Sequence, residues 1–137
     1  MIKSGLFFSM LALLFSNTLF ATQTSAKWQL TQLTEKKQFE VKLECESAPS
    51  TGVFQNCWLT LKHLDETIES ASVFMNGGMP EHHHGLPTAP VVSWSKESRA
   101  YIIEGLKFSM PGYWELNFSI EAEELPKDQT TFSLNIK

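Results

Sequence analysis

Basic charge is scarce in this chain and cysteine scarcer, and each shortage narrows what the protein can be. Eleven Lys and Arg face fifteen Asp and Glu over 137 residues, a formal net charge of −4. A phosphate backbone needs clustered positive charge, so nucleic acid is excluded as a partner. The two cysteines, Cys45 and Cys57, match neither a redox dithiol nor a zinc pattern in their spacing or neighbours. No segment carries a convincing helical repeat, and the absence of internal repeats and low-complexity tracts argues against a second module. The G-x-S-x-G turn of a nucleophilic serine is missing. A cupin-type motif would carry a Glu shortly after its second histidine, where this chain has Gly85-Leu86-Pro87-Thr88-Ala89. Catalysis is therefore not expected.

One long apolar run is present, and it lies at the start. Leu6 to Phe15 follows Met1-Ile2-Lys3 and precedes Ser16-Asn17-Thr18 and the small residues Thr24-Ser25-Ala26. That order of charged, apolar and small residues is the pattern of a secretory signal. Cleavage is expected after Ala26, where Thr24 meets the small-residue requirement; a cut after Ala21 would put bulky Leu19 at that position. Neither cut exposes an N-terminal histidine, since the new first residue would be Lys27 or Thr22. The expected division is a signal over residues 1–26 and one domain over residues 27–137, located in the periplasm or otherwise outside the cytoplasm. Membrane contact is expected only if the signal stays uncleaved.

In an oxidising compartment two such thiols usually pair. Phe39, Val41, Leu43 and Cys45 alternate on one face of a predicted strand, and Cys57, Leu59 and Leu61 on one face of the next. An antiparallel hairpin with Cys45 opposite Cys57 sets Leu43 against Leu59 and Val41 against Leu61, so both apolar faces coincide. A disulfide closing this loop stabilises by roughly 3 kcal/mol in the chain-entropy model.

Predicted strands cover residues 38–46, 56–63, 67–75, 91–95, 99–108, 113–121 and 130–136, with a further N-terminal strand from Trp28 to Leu33. Trp114, Leu116, Phe118 and Ile120 share one face, as do Phe132, Leu134 and Ile136. Near Gly105 the apolar phase shifts, as a bulge would produce. About seven strands with polar outer faces imply an all-β, immunoglobulin-like antiparallel β-sandwich. Trp58, Trp94 and Trp114 are the residues expected to fill the space between or around its sheets.

Two irregular segments stand out. Residues 75–90 read as a long loop between strands and contain Met79-Pro80-Glu81-His82-His83-His84-Gly85; residues 108–112 contain Met110. Alternation along extended chain projects His82 and His84 to one side, a spacing that suits a two-imidazole clamp. Nearby thioethers shift preference toward Cu(I). The candidate ligands are thus His82 and His84, with Met79 and Met110 as soft donors, and a copper ion is the expected cofactor. The competing reading has the imidazoles bonding loop carbonyls and the methionines packing near Trp114. His83, His63 and Glu81 read as exposed residues, and Gly77-Gly78 as a source of backbone freedom.

The order Met79-Pro80, His82, His84-Gly85 and Pro87-Thr88, followed by Tyr101, Glu104-Gly105-Leu106, Phe108, Met110, Gly112 and Trp114-Glu115-Leu116, resembles the YtkA-like domains, which are similar in general outline to FixH-like proteins. The resemblance covers most of residues 27–137. It implies a small extracytoplasmic immunoglobulin-like domain connected with copper handling or respiratory oxidase assembly, and hence a metal-recipient or other envelope protein as partner. The alternative is a metal-free interaction module that uses the 76–90 loop and exposed edge strands.

Overall fold

A computed structural model describes residues 27–137. The predicted signal over residues 1–26 lies outside that range. Ten strands run in chain order, namely β1 (Trp28–Leu33), β2 (Glu40–Cys45), β3 (Cys57–His63), β4 (Glu66–Thr67), β5 (Ser72–Met79), β6 (His84–Gly85), β7 (Val91–Ser95), β8 (Ala100–Glu104), β9 (Gly112–Glu121) and β10 (Asp128–Ile136). One sheet has the order β1-β2-β3-β8-β7, with β4 added to β3; the other is β10-β9-β5-β6. All named pairings are antiparallel. Taking β2, β3, β8 and β7 as one layer and β10, β9 and β5 as the other gives the strand order of an immunoglobulin constant-type sandwich. β1 and β6 extend its two sheets.

The expected hairpin forms in the expected register, with Cys45 opposite Cys57, Leu43 opposite Leu59 and Val41 opposite Leu61. Cys45 and Cys57 are joined as a disulfide. The inward positions of both sheets make one core, in which Leu43, Leu59, Trp114, Leu116 and Ile120 are fully buried. Side chains of this size each contribute about 1.5–3 kcal/mol when taken out of water. Trp114 fills the core as expected. Trp58 does not; it faces outward under Lys27, whose Nζ sits 4.8 Å from the ring centroid, because Cys57 and Leu59 take the inward positions. Trp94 packs edge-on against Tyr101 at 5.0 Å.

Three boundaries differ from the sequence reading, and each has a local cause. The strand expected over residues 67–75 is instead β4 and β5, separated where the chain crosses from one sheet to the other. Tyr101 pins that crossing: its hydroxyl donates to the Ile68 carbonyl and accepts from the Ala71 N–H, both at 2.9 Å. The loop expected from residue 75 begins only at Pro80, because β5 runs on through Gly77 and Gly78 opposite Leu116 and Glu115. Gly78 serves close approach rather than backbone freedom, since a Cβ there would lie 2.6 Å from the His84 carbonyl oxygen. The strand expected over residues 99–108 with a bulge near Gly105 ends instead at Glu104, where Gly105 turns with φ +82°, and Lys107 and Phe108 make only isolated bridges to Phe54 and Thr51.

At one end of the sandwich the turn between β1 and β2 is tied to β10. Asp128, 2% exposed, accepts hydrogen bonds from the N–H groups of Lys36, Gln38 and Gln129 at 3.0, 3.2 and 2.8 Å. The opposite end carries His82, His83 and His84.

Candidate metal centre

β5 ends at Met79, a single 3-10 turn covers Pro80–His82, and β6 returns at His84–Gly85. Pro80 opens the turn, where a missing N–H costs nothing. His83 closes it in the left-handed region, φ 56°, with its N–H reaching the Pro80 carbonyl. This reversal brings β6 back onto β5, pairing His84 with Met79 and Gly85 with Gly78. His84 is thereby fixed to a strand while His82 stays on the turn.

The two imidazoles come together, with ring centroids 6.0 Å apart and planes inclined by 45°. Rings clamping one ion, with metal–nitrogen bonds of about 2.0–2.1 Å, have centroids roughly 5–6 Å apart. His84 also stands edge-on to Trp114 at 5.5 Å. Trp114 is held in turn by Phe108, 5.3 Å away, and by its Nε1–H donating to the Met110 carbonyl at 3.1 Å. The indole is a rigid floor beneath an exposed imidazole.

His84 Nδ1 lies 2.9 Å from the Gly85 carbonyl oxygen. A carbonyl only accepts, so Nδ1 carries the proton and Nε2 keeps its lone pair free. This is the arrangement in which metal-binding histidines are usually held, one nitrogen donating to a carbonyl and the other facing the ion. The carbonyl bond foreseen in the competing reading therefore prepares the ring for coordination as well.

The methionines fare differently. Met79 is 1% exposed, in the core and directly opposite His84, so its thioether lies on the face toward which His84 projects. Met110 is 38% exposed, and its side chain is absent from the shallow concavity beside His84. That concavity is lined by Gly78, Met79, Pro80, His83, His84, Gly85, Glu115 and Asn117. His82 stands outside it. Among the described residues no three His, Cys, Asp or Glu side chains gather closely enough to hold an ion. One chain thus offers two neighbouring imidazoles, with Met79 buried on the strand that pairs with His84.

Sequence reasoning missed two participants. Trp114 was visible as an inward residue, but its contact with His84 depends on β6 folding back. His83 turns toward the concavity because of its left-handed backbone, which no residue type in the run announces.

Fold and site together define a small immunoglobulin-like domain, closed by one disulfide, that displays a loop-borne imidazole pair over a buried tryptophan. The chain belongs to the YtkA-like family, whose model matches residues 34–119. Domains of this family are extracytoplasmic, and the Cys45–Cys57 disulfide fits an oxidising compartment. Comparison with curated proteins and with solved structures gave no match.

Proposed function

We propose that this YtkA-like protein is an exported copper-binding protein, a carrier or accessory for metal handling or respiratory oxidase assembly, that acts without catalysis in the periplasm or an equivalent extracytoplasmic space. The observation that carries the proposal is the state of His84, whose Nδ1 proton is held by the Gly85 carbonyl, leaving the Nε2 lone pair free, with the His82 ring 6.0 Å away. Two imidazoles and the Met79 thioether form a donor set suited to Cu(I), a soft ion that accepts few ligands. Exposure of both imidazoles favours exchange with a recipient envelope protein over permanent storage.

Anaerobic titration of the purified protein with Cu(I) against a chromogenic chelator tests this. Stoichiometric binding is expected in the native protein and its loss in the folded His82→Ala/His84→Ala variant. Failure of the native protein to compete with the chelator contradicts the proposal. A metal-free interaction module is the second reading. It is favoured by the exposed side chains Val53, Phe54, Val91 and Tyr113 at the histidine end, and it predicts a partner whose binding ignores copper.

A further inference from the structure

The two outer faces of the sandwich differ in chemistry. On the sheet that holds β2 and β3, outward positions include Glu40, Lys42, Glu44 and Lys62, and Lys42 pairs with Glu44 at 2.9 Å. That is an ordinary solvated surface of mixed charge. On the other sheet the outward positions alternate with buried Trp114, Leu116, Phe118 and Ile120 on β9 and with buried Phe132 and Leu134 on β10. Among the described residues, the outward side chains of β5, β9 and β10 include no Lys or Arg, and Glu115 and Glu121 are their only charges. Apart from Gly78, amides, hydroxyls and aromatic rings make up the rest.

The registers set these side chains in rows. Thr131, Asn117 and Asn76 lie side by side across β10, β9 and β5, and Gln129, Ser119 and Phe74 form the next row. The first row is wired in one direction: Thr131 Oγ1 donates to Asn117 Oδ1 at 2.7 Å, and Asn117 Nδ2 donates to Asn76 Oδ1 at 3.1 Å. Both amides are thereby oriented, with the Asn76 Nδ2 hydrogens and the second Asn117 hydrogen left as donors and the remaining oxygen lone pairs as acceptors. Phe74 stands 65% exposed in the neighbouring row. These six residues line a depression of about 410 Å³, within the roughly 300–1,000 Å³ of small-molecule sites.

We propose that this depression binds a neutral carbohydrate. Each sugar hydroxyl both donates and accepts, which matches the oriented amides, and the C–H face of a sugar ring matches the exposed ring of Phe74. A phosphate, sulfate or carboxylate would find no Lys or Arg to pair with here, and Glu115 and Glu121 repel such groups. A protein partner would need a larger apolar centre than Phe74 supplies. The site is separate from His82 and His84 and does not depend on the copper reading.

Two-dimensional NMR of the isotope-labelled protein, read at the side-chain amide signals of Asn76, Asn117 and Gln129, tests the inference. The probes are cellotetraose, maltotetraose, laminaritetraose and chitotetraose, with trigalacturonate as the anionic control. Saturable shifts of these signals are expected with at least one neutral sugar at up to about 10 mM, which reaches dissociation constants of about 1 mM. Phe74→Ala and Asn76→Ala change exposed positions and are each expected to weaken binding roughly tenfold in a folded protein. Lys42→Ala, on the other sheet, leaves it unchanged. Silence of all the neutral sugars overturns the inference and gives the face to a protein partner. Tighter binding of trigalacturonate overturns it as well, as does full affinity in Phe74→Ala.

Discussion

At the end of the sandwich that carries Asp128, a carboxylate is drawn into the protein and surrounded by backbone N–H groups; at the other end, His82 and His84 remain exposed and, among the described residues, His84 is hydrogen-bonded through Nδ1 alone. Burial alone would push the Asp128 carboxyl up. The Thr34 hydroxyl and the N–H groups of Lys36, Gln129 and Gln38 outweigh it and hold the group below the ordinary carboxylate range. Polar groups at that end are consumed in closing the turn between β1 and β2 against β10. At the histidine end one hydrogen bond fixes the Nδ1 proton of His84 and another, from Trp114 Nε1–H to the Met110 carbonyl, holds the indole beside it. One end is built for stability, and the other retains donor capacity above a rigid floor.

The strongest challenge to this contrast is Trp114→Ala. Trp114 is fully buried and supports His84, so the variant is expected to lose about 3–5 kcal/mol in urea unfolding. Copper affinity should fall with it. Unchanged affinity in a folded variant would mean that the indole floor does not organise the site.

Asp128→Ala sharpens the contrast from the other side. It leaves three backbone N–H groups without their acceptor, and a loss of about 2–3 kcal/mol is expected in urea unfolding, with copper affinity unchanged. The pH dependence follows from the depressed folded-state pKa. Asp128 contributes its full stabilisation above the unfolded carboxylate range, and the contribution disappears as pH falls through the lower folded value. Acid titration should therefore destabilise the native protein more steeply than Asp128→Asn.

The smallest stability effect is expected at the proposed copper ligands. His82 and His84 are exposed, so their joint replacement by Ala should change stability by no more than about 0.5 kcal/mol. A much larger loss would assign the pair to folding.

Much of this contrast was legible in the sequence, and unevenly so. Alternation specified β9, β10 and the β2–β3 hairpin, because a one-residue slip would turn Trp114 or Leu59 to solvent. Cys45 and Cys57 fixed the same register independently. The crossing at residues 68–71 was not legible, since it depends on a hydroxyl thirty-three residues from Ile68, that of Tyr101. The extension of β5 through Gly77-Gly78 was hidden for a related reason. Glycine pairs signal turns locally, whereas here the missing Cβ admits the His84 backbone. At the candidate site, the nearness of the His82 and His84 rings was legible from their spacing. The pairing of His84 with Met79 and the tautomer of His84 required the chain to fold back.

The most direct test measures both ends in the same samples. Cu(I) affinity and urea stability would be determined for the native protein, Asp128→Ala and His82→Ala/His84→Ala. Loss of stability with retained affinity in the first variant, and retained stability with lost affinity in the second, is the predicted outcome. Native Cu(I) affinity in the histidine double variant would contradict the account.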